Sequence, residues 1–318
     1  MGLLELFMRL LGQKSGGRDL PPAQQGHDTA ELARRLGMTE AQLRGIDAQY
    51  HMFSIAKRRG GTRTIMAPAP ALKSVQQRIH RRLLKRLRAH PAAMGFAPGQ
   101  SIASHALCHA GQAVVVRMDL RDFFPSTTSR RMHRYFRWIG WNQQAAELLV
   151  RLTTWDGALP QGAPTSPRLS NLVNYRMDLR LAAMAKAVGR GAAADANAMT
   201  PTLEIFYSRY ADDLSFSFSR DDHHAIEAVI RWTGRIVEAE GYKLHTKKKL
   251  RIMRRHDRQV VTGLVVNEGV RLPRHRRRWL RAVEHRMRVG RPATVTPEQL
   301  AGWRALRHMV ESVGEPST

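Results

Sequence analysis

Leu203-Glu204-Ile205-Phe206-Tyr207-Ser208-Arg209-Tyr210-Ala211-Asp212-Asp213-Leu214-Ser215-Phe216-Ser217-Phe218 is the stretch that decides the fold. On both sides of Ala211-Asp212-Asp213, period-two alternation marks half-buried strands, and the short break predicts a hairpin with two acids at its tip. Upstream, Ala113-Val114-Val115-Val116-Arg117-Met118-Asp119-Leu120 is β-branched and mostly apolar, and reads as a buried strand ending on a carboxylate. If these elements are neighbours in one sheet, Asp119, Asp212 and Asp213 come together. Clustered carboxylates repel unless cations sit between them, and hard oxygen ligands select Mg²⁺ or Mn²⁺ over zinc. Two-metal phosphoryl transfer is the chemistry suited to such a site.

An Asp-Asp pair is commonly just a solvated turn. Asp221-Asp222, followed by His223-His224, serves as an internal control: these acids sit where a helix would begin, and carboxylates complement its dipole. A metal site on Asp222 with either histidine is the rival reading, although adjacent histidines do not converge on one ion in a helix.

Composition points to the substrate. Among 318 residues, 52 Lys+Arg outnumber 26 Asp+Glu, a net charge of +26, while 43% hydrophobic residues is ordinary for a globular chain. A foldable core therefore carries a surface suited to a polyanion, and at above about 250 residues more than one subdomain is expected. The single cysteine, Cys108, excludes an intramolecular disulfide and a cysteine-rich zinc site, and fits a reducing cytoplasm. No apolar run approaches the roughly 20 residues of a membrane-spanning helix. Residues 3–11 read as an amphipathic docking helix without the flanks of a signal peptide, with membrane association as the alternative.

Outward from the hairpin, residues 12–27 read as a linker. Asp28 or Thr29 begins a helix stopped by Gly37, and a second helix opens at Thr39. Lys57 to Ile65 is a basic hairpin around Gly60-Gly61. Leu72 to Leu87 has helical periodicity, 189–201 is a loop, Val260 to Val266 is a short strand, and Arg274 to Arg288 is a basic amphipathic helix.

The stretch Tyr210-Ala211-Asp212-Asp213 resembles the Y-A-D-D box of reverse transcriptases. Met118-Asp119-Leu120-Arg121-Asp122-Phe123-Phe124-Pro125-Ser126 is similar to their first aspartate motif, and Leu159-Pro160-Gln161-Gly162-Ala163-Pro164-Thr165-Ser166-Pro167 to their P-Q-G-x-x-x-S-P box, in the right order. Arg63-Thr64-Ile65, Gly95-Phe96 and Gly99-Gln100-Ser101-Ile102 resemble bacterial members, and Val261-Thr262-Gly263 the V-T-G motif of retron enzymes. The resemblance covers about residues 30–290. Two motifs depart from it: His105-Ala106-Leu107-Cys108-His109 stands where retrons have N-A-x-x-H, and His245 and Lys249 replace the usual Asn and Thr of a later motif.

This resemblance implies that Asp119 and Asp212 hold two Mg²⁺ ions (or Mn²⁺), that Asp213 completes the acidic cluster, and that the Leu120 carbonyl joins them. It implies that Phe124 selects deoxynucleotides, that Gln161 and Gly162 line the incoming nucleotide, that Lys57 and Arg63 grip its triphosphate, and that Lys248 protonates the leaving pyrophosphate. Arg274, Arg277, Arg278 and Arg281 would follow the template–primer duplex, and His109, Val261, Thr262 and Gly263 would recognise a structured RNA. For His109 and the V-T-G segment, a satisfied histidine and a strand-end turn are equal alternatives.

The expected fold is α+β, a right-hand polymerase: N-terminal helices and linker (1–50), fingers (51–112), an antiparallel-sheet palm (113–255, with a fingers portion near 127–160) and a short helical thumb with C-terminal tail (256–318). The implied function is RNA-directed DNA synthesis by a retron-type enzyme. It would copy a structured noncoding RNA from a 2′-hydroxyl primer into a branched RNA–DNA product, beside an effector protein in anti-phage defence, in the bacterial cytoplasm. A group II intron enzyme, a diversity-generating enzyme and a catalytically inactive RNA-binding scaffold are the rivals.

Overall fold

A computed structural model describes residues 22–56, 60–194, 202–245 and 250–313. The expected docking helix at 3–11, Lys57, Lys248 and its neighbours Lys247 and Lys249, and residues 195–201 of the expected 189–201 loop lie outside them; the first part of that expected loop is instead the end of a helix that runs to Ala194. Among the described residues no helix is long and apolar enough to cross a membrane.

The chain opens with α1 (Thr29–Leu36), capped by the Asp28 side chain and closed by left-handed Gly37, and α2 (Glu40–Arg44), opened by a Thr39–Gln42 capping box. Strands β1 (Tyr50–Ala56) and β2 (Thr62–Pro68) form an antiparallel hairpin turning at Gly60-Gly61. Next comes α3 (Pro70–Arg82), shorter than its periodicity predicts. The chain tightens into a 3₁₀ turn at Leu84–Arg86, where the buried Arg168 guanidinium takes the Leu84 and Leu87 carbonyls. Helix α4 (Ile102–Leu107) leads into β3 (Val114–Asp119). Helices α5 (Ser129–Trp138), α6 (Gln143–Thr153), α7 (Ser166–Val173) and α8 (Tyr175–Ala194) follow. The hairpin β4 (Ile205–Tyr210) and β5 (Asp213–Phe218) precedes α9 (His223–Ala239), which begins just after the control acids. The Asp222 carboxylate caps it by accepting from the Ala225 N–H.

Several elements were not foreseen: helices α4 to α8, strand β6 (Arg251–Arg254) inside a cationic tract, and a helix in the tail. The stretch Val260–Val266 is not one strand but two, β7 (Val260–Val261) and β8 (Leu264–Val265). Thr262 and Gly263 both have positive φ (46° and 85°), as a two-residue type I′ turn requires. Helices α10 (Arg274–Arg288) and α11 (Pro297–Ser312) complete the described chain.

The chain divides into two compact units. One comprises Met1–Ala97, Leu120–Leu181 and Thr233–Leu244, and its core gathers Leu32, Leu72, Ile79, Phe136, Leu149 and Leu169. The other comprises Pro98–Asp119, Ala182–Trp232 and His245–Thr318, and holds the four-stranded antiparallel sheet in the order β4-β5-β3-β6. Strand β3 is central with both faces covered, which is why its sequence is nearly continuous in apolar residues. Val115 packs with Ala103, Val261, Leu264 and Val310 in that unit's core.

Candidate active site

The sheet register positions the acids. Strands β3 and β5 pair from Val114 opposite Phe218 to Asp119 opposite Asp213, and Tyr210 pairs with Asp213 across the β4–β5 hairpin. Ala211 and Asp212 therefore form a two-residue connection, with Ala211 in the left-handed region at φ 57°. That conformation is strained for a residue with a Cβ and persists only where the surroundings enforce it. One enforcing contact comes from buried Arg209, whose Nη1 donates to the Ala211 carbonyl at 3.0 Å.

Asp213 is nearly enclosed, and its carboxylate is held by Arg117, whose Nε donates at 3.1 Å and whose Nη2 makes a second bond. Burial pushes the Asp213 carboxyl above the usual range. Arg117 opposes that shift, and the Asp212 and Asp119 charges add to it. Arg117 also donates from Nη1 to the Val260 carbonyl at 3.2 Å, tying the acid to the strand before the Thr262-Gly263 turn. Asp119 is flanked by His245, one of the two motif departures. The His245 N–H donates to the Asp119 carbonyl at 2.8 Å, and its Nε2 lies 3.4 Å from Asp119 Oδ1.

The donor chemistry of the three carboxylates fits a hard divalent ion, and their mutual repulsion is what such an ion relieves. No preformed cluster of three ligating side chains exists among the described residues, and Asp213 is engaged by Arg117.

The other expected site residues are placed as follows. Arg63 is exposed on β2 opposite Ile55, and Gln161 accepts the Met66 N–H on its carbonyl at 2.8 Å. Gly162 has φ 130°, and a Cβ there would meet the Met66 carbonyl oxygen at 2.8 Å, so its missing side chain admits β2. Phe123 is buried against Tyr242, whereas Phe124 is half-buried. Leu120 is buried and bridges Leu244. Arg274, Arg277, Arg278 and Arg281 are exposed on α10, and Thr262 and Gly263 reach the surface.

Two expectations are corrected. His109 is fully buried, bonded through both ring nitrogens to Ser217 and Ser208, and its side chain cannot contact an RNA directly. Val261 is also fully buried, in the core with Leu264. In both cases inward packing accounts for the residue.

Sequence reasoning missed Arg117, Arg209 and the serines of the hairpin. Arg117 was legible: in a strand, residues two apart share a face, which places it beside Asp119.

The family described as Reverse transcriptase (RNA-dependent DNA polymerase) matches residues 55–277. Retron Mx162 reverse transcriptase of Myxococcus xanthus is 37% identical over 89% of this chain and 64% of its own length. Retron Ec86 reverse transcriptase of Escherichia coli is 30% identical over 92% of this chain and 87% of its own. This chain belongs to the retron reverse transcriptases. Retron Mx65 reverse transcriptase, also from Myxococcus xanthus, is 37% identical over 74% of the chain. The chain spans 64% and 55% of the two Myxococcus relatives' lengths. With membership in this family comes the polymerase fold, here mixed helix and antiparallel sheet, and reverse transcriptases generally use divalent metal ions.

Proposed function

We propose that this retron reverse transcriptase is an RNA-directed DNA polymerase whose acids are Asp119, Asp212 and Asp213. The observation that carries this reading is the pairing of Asp119 with Asp213 at the end of the β3–β5 ladder, with Asp212 in the adjoining turn. Asp119 and Asp212, with Asp213 and the Leu120 carbonyl, would hold two Mg²⁺ or Mn²⁺ ions. Bound there, the ions would supply activation of the attacking hydroxyl and charge stabilisation at the leaving pyrophosphate. The residues of the chain bind and orient: Gln161 and Gly162 line the nucleotide, Phe124 excludes a ribose 2′-hydroxyl, Arg63 and Lys57 neutralise the triphosphate, and Lys248 donates a proton to pyrophosphate.

In this reading residues 51–112 act as fingers, 113–255 as palm with a fingers portion near 127–160, and 256–318 as thumb and tail, after N-terminal helices in 1–50. Arg274, Arg277, Arg278 and Arg281 grip the hybrid by its backbone, as an A-form duplex demands. Exposed Gly263 and half-buried Thr262 are the part of the segment assigned to RNA recognition that reaches the surface. The template is a structured noncoding RNA primed from its own 2′-hydroxyl, the product is branched RNA–DNA, and the setting is anti-phage defence with an effector protein in the bacterial cytoplasm. The relatives' identity as retron enzymes supports these finer points.

The test is to purify the protein from its native locus and treat the bound nucleic acid with RNase and DNase. A branched RNA–DNA species that disappears in Asp212→Asn is expected. Bound RNA without DNA in the wild type would favour the inactive scaffold, and linear DNA with a free 5′ end would sink 2′-hydroxyl priming.

A further inference from the structure

Behind the acid-bearing hairpin lies a polar cluster with no assigned role. His105 on α4 and His109 just beyond its end are both fully buried. The Nε2 atoms of both rings lie 2.6 Å from one oxygen, Ser208 Oγ of β4, and His109 Nδ1 lies 2.9 Å from Ser217 Oγ of β5. The His105 ring also packs on Tyr210 at 5.5 Å, and the His109 ring meets Phe206 edge-on at 5.3 Å. Phe206, Ser208 and Tyr210 are alternate residues and so share one face of β4. Two histidines thus engage three successive positions on that face, the last of which immediately precedes Ala211-Asp212.

The hydrogen bonds run in one direction. A hydroxyl has a single proton, so Ser208 donates to one imidazole and accepts from the other. His105 Nδ1 is buried without a hydrogen-bond partner. An orphaned N–H is rarer in protein interiors than an unsatisfied acceptor, so the His105 proton belongs on Nε2. His105 then donates to Ser208, Ser208 donates to His109 Nε2, and His109 donates from Nδ1 to Ser217. This chain needs His109 neutral, so that its Nε2 can accept, and a neutral His105 keeps its buried Nδ1 from becoming an orphaned N–H. Burial supplies that condition, lowering His105 to about 4 and His109 to about 3.

Among the described residues β4 stands at the edge of its sheet, with β5 as its only strand neighbour. It nevertheless leads into a strained turn that carries Asp212. We propose that His105 and His109 are positioning residues for Asp212, fixing β4 and its turn from the face that α4 covers. The proposal rests on the polymerase reading and assigns the residues of the retron-specific box an internal role. It also gives the departure at His105 a function: an imidazole reaches the hydroxyl that His109 shares.

The experiment uses the full chain on an annealed RNA template and DNA primer, which removes any dependence on retron priming. Rates and KM for deoxynucleotides, RNA affinity and melting temperature are measured for Ser208→Ala, His105→Ala, their double variant and His105→Gln. Because displacement of a reacting group by about 1 Å can cost about 10²-fold, kcat should fall about 10- to 100-fold in each alanine variant, with KM and RNA affinity nearly unchanged when assays are run well below each variant's own melting temperature, which truncation of a buried side chain lowers. The double variant should be no slower than the worse single, since the two residues act through one bond. His105→Gln, which keeps an amide N–H near the reach of Nε2, should regain much of the rate. Wild-type kcat in Ser208→Ala, additive losses, or lost RNA affinity with kcat preserved would each overturn the proposal. If Ser208→Ala does not fold, the comparison of His105→Gln with His105→Ala decides. Wild-type protein that makes no DNA would instead count against the polymerase reading.

Discussion

Asp119 and Asp213 face each other as the last pair of the β3–β5 ladder, and Arg117, two residues before Asp119, holds the Asp213 carboxylate. The two acids of the Asp-Asp pair are therefore unequal: one lies in the turn, and the other is already partnered by a cation.

Asp119→Asn and Asp212→Asn should each lower DNA synthesis by about 10²-fold or more, since ligation of a catalytic ion is worth several kcal/mol. Asp213→Asn should cost less activity. Primer-extension rates at saturating Mg²⁺ would rank the three, and equal losses at Asp212 and Asp213 would contradict the asymmetry.

Arg117→Ala leaves a largely buried carboxylate unpaired and should destabilise the fold by about 1–3 kcal/mol. Combining it with Asp213→Asn should recover part of that loss. Urea unfolding of the two singles and the double gives the coupling directly, and additive effects would show that the pair contributes little.

Stability should fall with acidity through the buried histidines. Both folded values lie below the ordinary 6.5, so between the folded and unfolded values the unfolded chain binds more protons. Their contribution is full above pH 6.5 and is lost as pH falls towards about 4 and 3. Arg117 acts electrostatically on both rings, His105 acts on His109, and Ser208, Ser217, Phe206 and Tyr210 contribute no charge at these pH values. Unfolding midpoints at pH 7.5 and 5 should differ, and the difference should shrink in His109→Gln.

Gly162→Ala introduces a Cβ 2.8 Å from the Met66 carbonyl oxygen at a φ of 130°, and should cost about 1–3 kcal/mol. A melting temperature within a degree of wild type would show that β2 yields freely.

Binding of an RNA–DNA hybrid should weaken steeply with salt. Replacing Arg274, Arg277, Arg278 or Arg281 by alanine should each reduce the log–log salt slope by about 1 if that residue contacts a phosphate. Titrations between 50 and 200 mM salt would assign the contacts one by one.

The acid-bearing hairpin and β3 were legible because strand alternation and a two-residue break survive in sequence almost unaltered. α10 was legible because its apolar stripe keeps helical spacing. β6 was hidden by its arginines, which read as a cationic tract although Arg251–Arg254 pair with β3. The division at Thr262-Gly263 depends on a backbone conformation that threonine rarely adopts. At His109 the sequence left a ligand and a satisfied histidine equally open, because its partners, Ser208 and Ser217, lie about a hundred residues away in sequence. Long-range hydrogen bonds of that kind leave no periodic trace.

The two-residue connection at Ala211-Asp212 has a further consequence for variation. Side chains of a strand alternate between faces, so one extra residue in this loop would force either a bulge or a slipped ladder. A slip would turn Phe216 and Phe218 away from their present neighbours and take Asp213 from Arg117 in the same step. Changes of residue type along β5 act one position at a time, whereas a change of loop length disturbs core and carboxylates together. For folding, as distinct from synthesis, this loop should therefore tolerate substitutions far more readily than insertions.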